Sequence, residues 1–203
     1  MSAKHGKPKL TDESYLTPSW CIDSLLAEIE LPGGRWLEPC AGDGAIIRAV
    51  SAKRPDVTWA ACEIREGCGK PLRAISSVEQ LVIGDFFEPE SQRALMDLGQ
   101  FDVILTNPPF SLAGDFINAC LPLAKLTVLL LRLNFLEGAE RAPFWRVHAP
   151  DVCVLSNRPS FTGKGTDATA YAWFVFRGGV ERTHGHLRVL APVPAAERRP
   201  RAG

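Results

Sequence analysis

Charge of one sign is the first thing this chain lacks. Lys+Arg and Asp+Glu each number 23 among 203 residues, so the overall balance points to no polyanionic partner. Basic residues gather only near the two ends, at Lys4, Lys7 and Lys9 and at Arg198, Arg199 and Arg201. Such ends are ordinarily solvated and frayed; contact with nucleic-acid phosphates is the sharper reading of them. Long hydrophobic runs are missing too. The longest, Leu126–Leu131, is far too short to span a bilayer. Lys4, Lys7 and Lys9 run into Asp12 and Glu13 instead of an apolar core, which does not make a secretory signal. The cysteines (21, 40, 62, 68, 120 and 153) form no C-x-x-C pair. Reduced thiols in the core of a cytoplasmic protein are therefore expected. The histidines (5, 148, 184 and 186) are scattered, and none sits at metal-ligand spacing. Repeats and low-complexity linkers are absent, so nothing suggests a second domain.

What remains is a globular composition, with 46% hydrophobic and 23% charged residues, in a chain long enough for a real core. Residues 1–14 read as a flexible arm, 15–190 as one domain and 191–203 as a basic flexible tail. After Thr17-Pro18-Ser19, where Thr17 or Ser19 can cap a helix, residues 19–30 carry apolar side chains at helical spacing. Strands are expected at 35–38, 58–64, 79–83, 101–106, 126–133, 151–155 and 170–176, with helices starting near Ala45, Asp115 and Gly138. Leu187–Leu190 adds a short final strand. This alternation predicts an α/β fold: a doubly wound, mostly parallel, seven-stranded Rossmann-like sheet.

The ends of successive strands carry the informative residues. In Phe101–Phe110, Val103, Ile104 and Leu105 form a short apolar run of the kind a buried parallel strand shows, and it stops in Thr106-Asn107-Pro108-Pro109-Phe110. The prolines lack an N–H and disfavour helix in the residue before them, so the chain must leave the strand in a stiff, extended turn. Asn107 and Phe110 then stand at the carboxyl end of a strand, where open α/β sheets place ligands. The same letters also fit a plain proline turn with a capping Asn. Earlier in the chain, Glu38-Pro39-Cys40-Ala41-Gly42-Asp43-Gly44 links a strand to a helix through small residues, letting a ligand approach the backbone. The spacing is neither G-x-G-x-x-G nor a P-loop, so nucleotide phosphates are not indicated. Glu38 suits a cationic or hydroxyl-bearing ligand. Glu63 ends the next strand where doubly wound folds bind ribose hydroxyls, and Asp85-Phe86 ends the third with an acceptor and an apolar face suited to adenine. Between 155 and 170 lies a polar, glycine-bearing loop, longer than the median connection.

Glu38–Gly44 and Asn107-Pro108-Pro109-Phe110, in this order and separation, resemble motifs I and IV of the class I S-adenosylmethionine-dependent methyltransferases. More narrowly, they resemble the amino-group DNA methyltransferases that modify N6 of adenine or N4 of cytosine. Glu63 and Asp85-Phe86 fall where that family's motifs II and III lie, and Tyr15-x-Thr17-Pro18 resembles its N-terminal motif X. The loop 156–167 and Tyr171-Ala172-Trp173-Phe174 are similar to small phage and prophage enzymes of the group. The resemblance covers roughly residues 15–178. Glu38 departs from the Asp or Asn that usually opens motif I, and no large target-recognition domain has a counterpart here. Recognition then falls to short loops such as 156–167 or to a second subunit.

The resemblance implies S-adenosyl-L-methionine as cofactor and DNA as partner. Pro39, Cys40, Ala41, Gly42 and Gly44 would surround the methionine part, Glu38 would face its cationic side, and Glu63 with Ile64 would take the ribose. Asp85 and Phe86 would hold the adenine, while Tyr15, Thr17 and Pro18 close over the methionyl end. Asn107 and the Pro108 carbonyl would accept the two N–H bonds of the target amine, with Pro109 stiffening the turn. Phe110 would stack on the flipped base, Phe161 on its other face, and Arg158 or Lys164 would meet phosphate. An RNA adenine-N6 or protein-glutamine methyltransferase, or an accessory subunit keeping the fold without activity, are the alternatives.

Overall fold

A computed structural model describes residues 16–161, 165 and 168–198. The arm expected over 1–14, Tyr15, Lys164 and residues 199–203 lie outside the described residues. The elements run α1 Ser19–Glu28, β1 Gly34–Glu38, α2 Ala45–Ser51, β2 Val57–Glu63, α3 Gly69–Arg73, β3 Val78–Ile83, α4 Pro89–Met96, β4 Phe101–Thr106, α5 Ala113–Cys120, β5 Ala124–Arg132, α6 Ala142–Trp145, β6 Asp151–Val154, β7 Tyr171–Arg177 and β8 Leu187–Val189. No helix among the described residues is long and apolar enough to cross a membrane.

One sheet of eight strands, in the order β3-β2-β1-β4-β5-β7-β6-β8, forms the centre. The expected sheet is observed, and the short final strand expected at Leu187–Leu190 joins the seven as an eighth, Leu187–Val189 pairing with β6 at the edge. β1, β2, β3, β4 and β5 are parallel, and β7 inserts antiparallel between β5 and β6. Strand residues alternate between two buried faces, as a sheet covered on both sides requires. Trp36, Trp59, Val103, Leu105, Val128, Leu130, Trp173 and Val175 pack on one face with Trp20, Ile22 and Leu25 of α1 and Ile46, Ile47 and Val50 of α2. Leu37, Ala60, Cys62 and Ile104 turn to the other, against Phe86, Leu95, Phe116 and Cys120. Leu129, Leu131, Ala172, Phe174 and Phe176 continue that second face over Ala113 and Ile117. The fully buried indole of Trp173 donates to the Cys21 carbonyl at 3.0 Å, fixing α1 across the sheet. All six cysteines are free thiols.

Several boundaries differ from the sequence reading. α1 ends at Glu28, with Ile29 extended. Its N-cap is Pro18, without a side-chain cap bond, because the Thr17 hydroxyl is engaged elsewhere. α5 starts two residues before Asp115 and is preceded by a single 3-10 turn, Phe110–Leu112. Only Ala142–Trp145 of the helix expected from Gly138 forms. The periodicity did not single out α3 and α4, since α3 is a single turn and α4 buries only Ser91 and Leu95. Of the stretch read as a tail, Ala191 donates to Glu28 Oε1 and Val193 to Asn157 Oδ1, each at 2.6 Å.

Asp151 joins the late strands. It accepts from Arg182 Nη2 and the His186 backbone, each at 2.9 Å. Burial would raise its carboxyl, but these partners outweigh that and hold it at about 2, below the ordinary 3.8. A depressed carboxylate stabilises the fold above its unfolded value and loses that contribution as pH falls through its folded one. Asp151→Asn should cost about 2 kcal/mol at neutral pH, a deficit that chemical denaturation should find closing between pH 3.8 and 2.

Candidate active site

Parallel strands bring their carboxyl ends to one edge, and β1, β2, β3 and β4 each deliver a polar residue there. In β1–β4 pairing Trp36 lies beside Val103 and Leu37 beside Ile104, which sets Glu38 and the turn after Thr106 on the same rim. Cys40 ties the two together: its Sγ lies 2.8 Å from Thr106 Oγ1 and donates to the Asn107 carbonyl at 3.7 Å. Burial pushes the Cys40 thiol well above its usual range, so it acts as a neutral tie, not a nucleophile.

Asn107 follows β4 directly. Its Nδ2 donates to Thr17 Oγ1 at 3.1 Å; Thr17, expected at the cofactor, thus orients this amide. Asn107 Oδ1 is buried and has no hydrogen-bond partner among the described residues. A buried acceptor without a donor costs free energy of order 1–3 kcal/mol, and such an atom at a strand end is a place for a ligand donor. The next residues, Pro108 and Pro109, carry the chain extended into the 3-10 turn that begins at Phe110.

Glu38 is 2% exposed. Burial, then Glu63 and Asp43, raise its carboxyl well above the ordinary range, opposed by the Ile47 N–H and Arg48. Its Oε2 is buried without a partner among the described residues. A cationic ligand would relieve both. Gly44 caps α2 at φ 91°, and a Cβ there would meet Ile75 Cδ1 at 2.6 Å, so the turn between Glu38 and α2 is open to glycine alone at this point. Glu63, 4% exposed, accepts from Gly42 N–H at 2.6 Å through Oε2, and from Arg65 N–H and Nε at 3.0 and 2.7 Å through Oε1. It thereby holds the glycine turn to the end of β2, while each oxygen keeps capacity for a hydroxyl donor. Beside it Ile64 is exposed. Asp85 accepts the Phe87 N–H at 2.9 Å through Oδ1.

Two expected roles are not what the side chains present. Phe86 is buried, stacked on Phe116 at 5.4 Å and 7°, so its ring belongs to the core and not to an open adenine face. Phe110 and Phe161 do not flank a slot: their rings touch edge-on at 6.3 Å and 62°, and a base needs parallel walls to be sandwiched. Arg158 is exposed. Arg132, which the sequence reading passed over, and Tyr171, named there only for its strand, stand at Phe110. Arg132 lays its guanidinium 4.7 Å from the Phe110 centroid and donates from Nε to the Tyr171 hydroxyl at 3.2 Å, while the Tyr171 ring lies 5.5 Å from Phe110. Arg132 was detectable as the cation that ends the buried run Leu126–Leu131 at this edge of the sheet.

No family model and no curated protein matches this chain. Among solved structures it is similar to a predicted O-methyltransferase from Agrobacterium tumefaciens, at TM-score 0.60 and 18% identity over 87% of this chain and 86% of that one. It is similar too to a protein described as a modification subunit of a type I restriction enzyme from Vibrio vulnificus YJ016, at TM-score 0.57 and 15% identity over 91% of this chain. The match spans only 48% of the Vibrio chain. A third similarity is to the 23S rRNA methyltransferase ErmE, at TM-score 0.51 and 15% identity over 79% and 66% of the two chains. The chain thus shares the Rossmann-like fold of these methyltransferases.

Proposed function

We propose that this protein transfers a methyl group from S-adenosylmethionine to the exocyclic amino group of a DNA base, N6 of adenine. The observation that carries this reading is Asn107 Oδ1, buried and unpaired at the end of β4 with its amide nitrogen held by Thr17. Its position in Asn107-Pro108-Pro109-Phe110, the likeness to amino-group DNA methyltransferases and the similarity in fold to a restriction-system modification subunit favour DNA over RNA or protein. Glu38 and Glu63 fit the cofactor: one is a buried acid whose Oε2 has no donor among the described residues, the other a carboxylate at the end of the second strand. Gly42, Ala41 and Pro39 belong to the same turn, and Ile64 and Asp85 lie at neighbouring strand ends.

When bound, the cofactor supplies an electrophilic methyl group on a cationic sulfur. The chain's residues prepare the acceptor. An aromatic amine is a poor nucleophile because its lone pair is delocalised into the ring. Accepting its two N–H bonds at Asn107 Oδ1 and the Pro108 carbonyl localises that pair and directs it at the methyl carbon. The new C–N bond forms as the C–S bond breaks, and the amine then releases a proton to water, since a neutral amide cannot hold it. Positioning and fixed dipoles do the catalysis. Phe110 and Pro109 limit the base's freedom on this side.

Asn107→Ala should abolish methyl transfer, by about 100-fold or more as for loss of one preorganised polar group, while calorimetry finds cofactor affinity within a few-fold of wild type; Thr17→Val should lower kcat with the same cofactor affinity. Joint loss of both properties in Asn107→Ala would place the residue at the cofactor and overturn its role. Glu38→Gln carries a second expectation. The folded protein holds the Glu38 proton above pH 4.5, where the unfolded chain has released it, so wild-type stability falls as pH rises from there. The variant should melt higher than wild type at neutral pH, with the gap closing toward pH 4.5, yet bind S-adenosylmethionine about tenfold more weakly, since a charge-assisted contact is worth about 1.5 kcal/mol or more.

A further inference from the structure

A cavity of about 380 Å³ opens beyond Phe110, at the ends of β4 and β5 and away from the glycine turn, Glu63 and Asp85. It lies at the small end of the range for ligand pockets and is large enough for one nucleotide. Phe110, Arg132, Asn134, Phe135, Glu137 and Arg141 are among the residues that line it. Two pairs of these repeat one arrangement: Arg132 lies 4.7 Å from the Phe110 centroid and Arg141 lies 4.6 Å from that of Phe135. Cation–π attraction holds each guanidinium in place over its ring, and a fixed guanidinium is the group suited to phosphate oxygens.

Arg141 is placed by the backbone. Its Nε and Nη2 donate to the Glu137 carbonyl at 3.0 and 2.6 Å. A Cβ at Gly138, where φ is +112°, would come 3.2 Å from Arg141 Nη2, so a glycine both makes this turn and lets the guanidinium lie over it. The lining carries two cations and one acid, Glu137, which is exposed. A net positive, aromatic-walled cavity sharing Phe110 with the acceptor turn is suited to the unit covalently next to the target base.

We propose that this cavity holds the nucleotide flanking the target, its phosphodiester on Arg132 and Arg141 and its base against Phe135. The inference rests on the reading of the protein as a nucleic-acid base methyltransferase. It gives the described residues a built-in grip on one strand beside the reacting base, and predicts that acceptance depends on the neighbouring nucleotide.

The test is fluorescence anisotropy of full-length protein, with S-adenosylmethionine present, on a labelled single-stranded oligodeoxynucleotide containing adenine and on its RNA counterpart, across a salt series. Arg141→Gln should weaken binding about tenfold and lower the slope of log affinity against log salt by about one. Phe135→Ala should weaken binding by a similar factor, as loss of one base–aromatic stack does, without altering that slope. Arg93→Gln, a control on the exposed side of α4, should change neither. Equal effects of Arg141→Gln and Arg93→Gln, or none from Arg141→Gln, would overturn the pocket while leaving the proposed reaction standing. The same Arg141 dependence on RNA, with RNA bound more tightly, would support the pocket and move the acceptor from DNA to RNA. No binding of either single strand by the wild type would overturn the pocket, and no methyl transfer to duplex DNA either would remove the reaction with it.

Discussion

Parallel pairing of β1 with β4, in the register Trp36–Val103 and Leu37–Ile104, puts two chemically opposite demands on one rim of the sheet. Glu38 leaves β1 as a buried acid, and Asn107 leaves β4 as a buried neutral acceptor. The Cys40 contact with Thr106 and Asn107 joins these strand ends, so the distance between them is set by the sheet and one thiol and not by loop conformation. A site built this way is rigid where the reaction needs rigidity, because both elements are central strands covered on two faces.

Rigidity is accompanied by stored polar cost. Glu38 Oε2 and Asn107 Oδ1 are each buried without a donor among the described residues, and each would be more stable in water or paired. Groups of this kind collect where a ligand is meant to supply the missing partner. They ask for different partners: Glu38 for a cation, Asn107 for an N–H. Thr17 makes the second demand specific, because by accepting from Asn107 Nδ2 it fixes the orientation of the amide and leaves Oδ1 as the buried atom still lacking a partner. The large apolar core behind the rim, with Trp36, Trp59 and Trp173 fully buried, offsets these local costs.

Much of this arrangement was legible in the letters. The two prolines after Asn107 forced an extended exit from β4, and acids at the ends of β1, β2 and β3 declared a common edge once the strands were read as parallel. Side-chain facing was harder. Phe86 was readable as apolar but not as the partner of Phe116, which lies 30 residues on in another helix. Phe161 and Phe110 were readable as aromatic, but their edge contact depends on how a long loop returns to β7. Arg132 and Arg141 were overlooked because a cation after an apolar run and another in a polar stretch look like solvated residues; stacking on Phe110 and Phe135 is a tertiary fact. α3 and α4 carry too few buried residues for periodicity to register.

The most direct test of the central claim is to supply tritiated S-adenosylmethionine to the protein with double-stranded DNA, single-stranded DNA, total RNA and a protein lysate in parallel, then digest the labelled product and identify the modified unit. Label recovered as N6-methyladenine from DNA is the predicted result. Label confined to RNA bases or to protein would contradict the proposed acceptor, and no label in any fraction, with the cofactor bound, would contradict methyl transfer by this chain on its own.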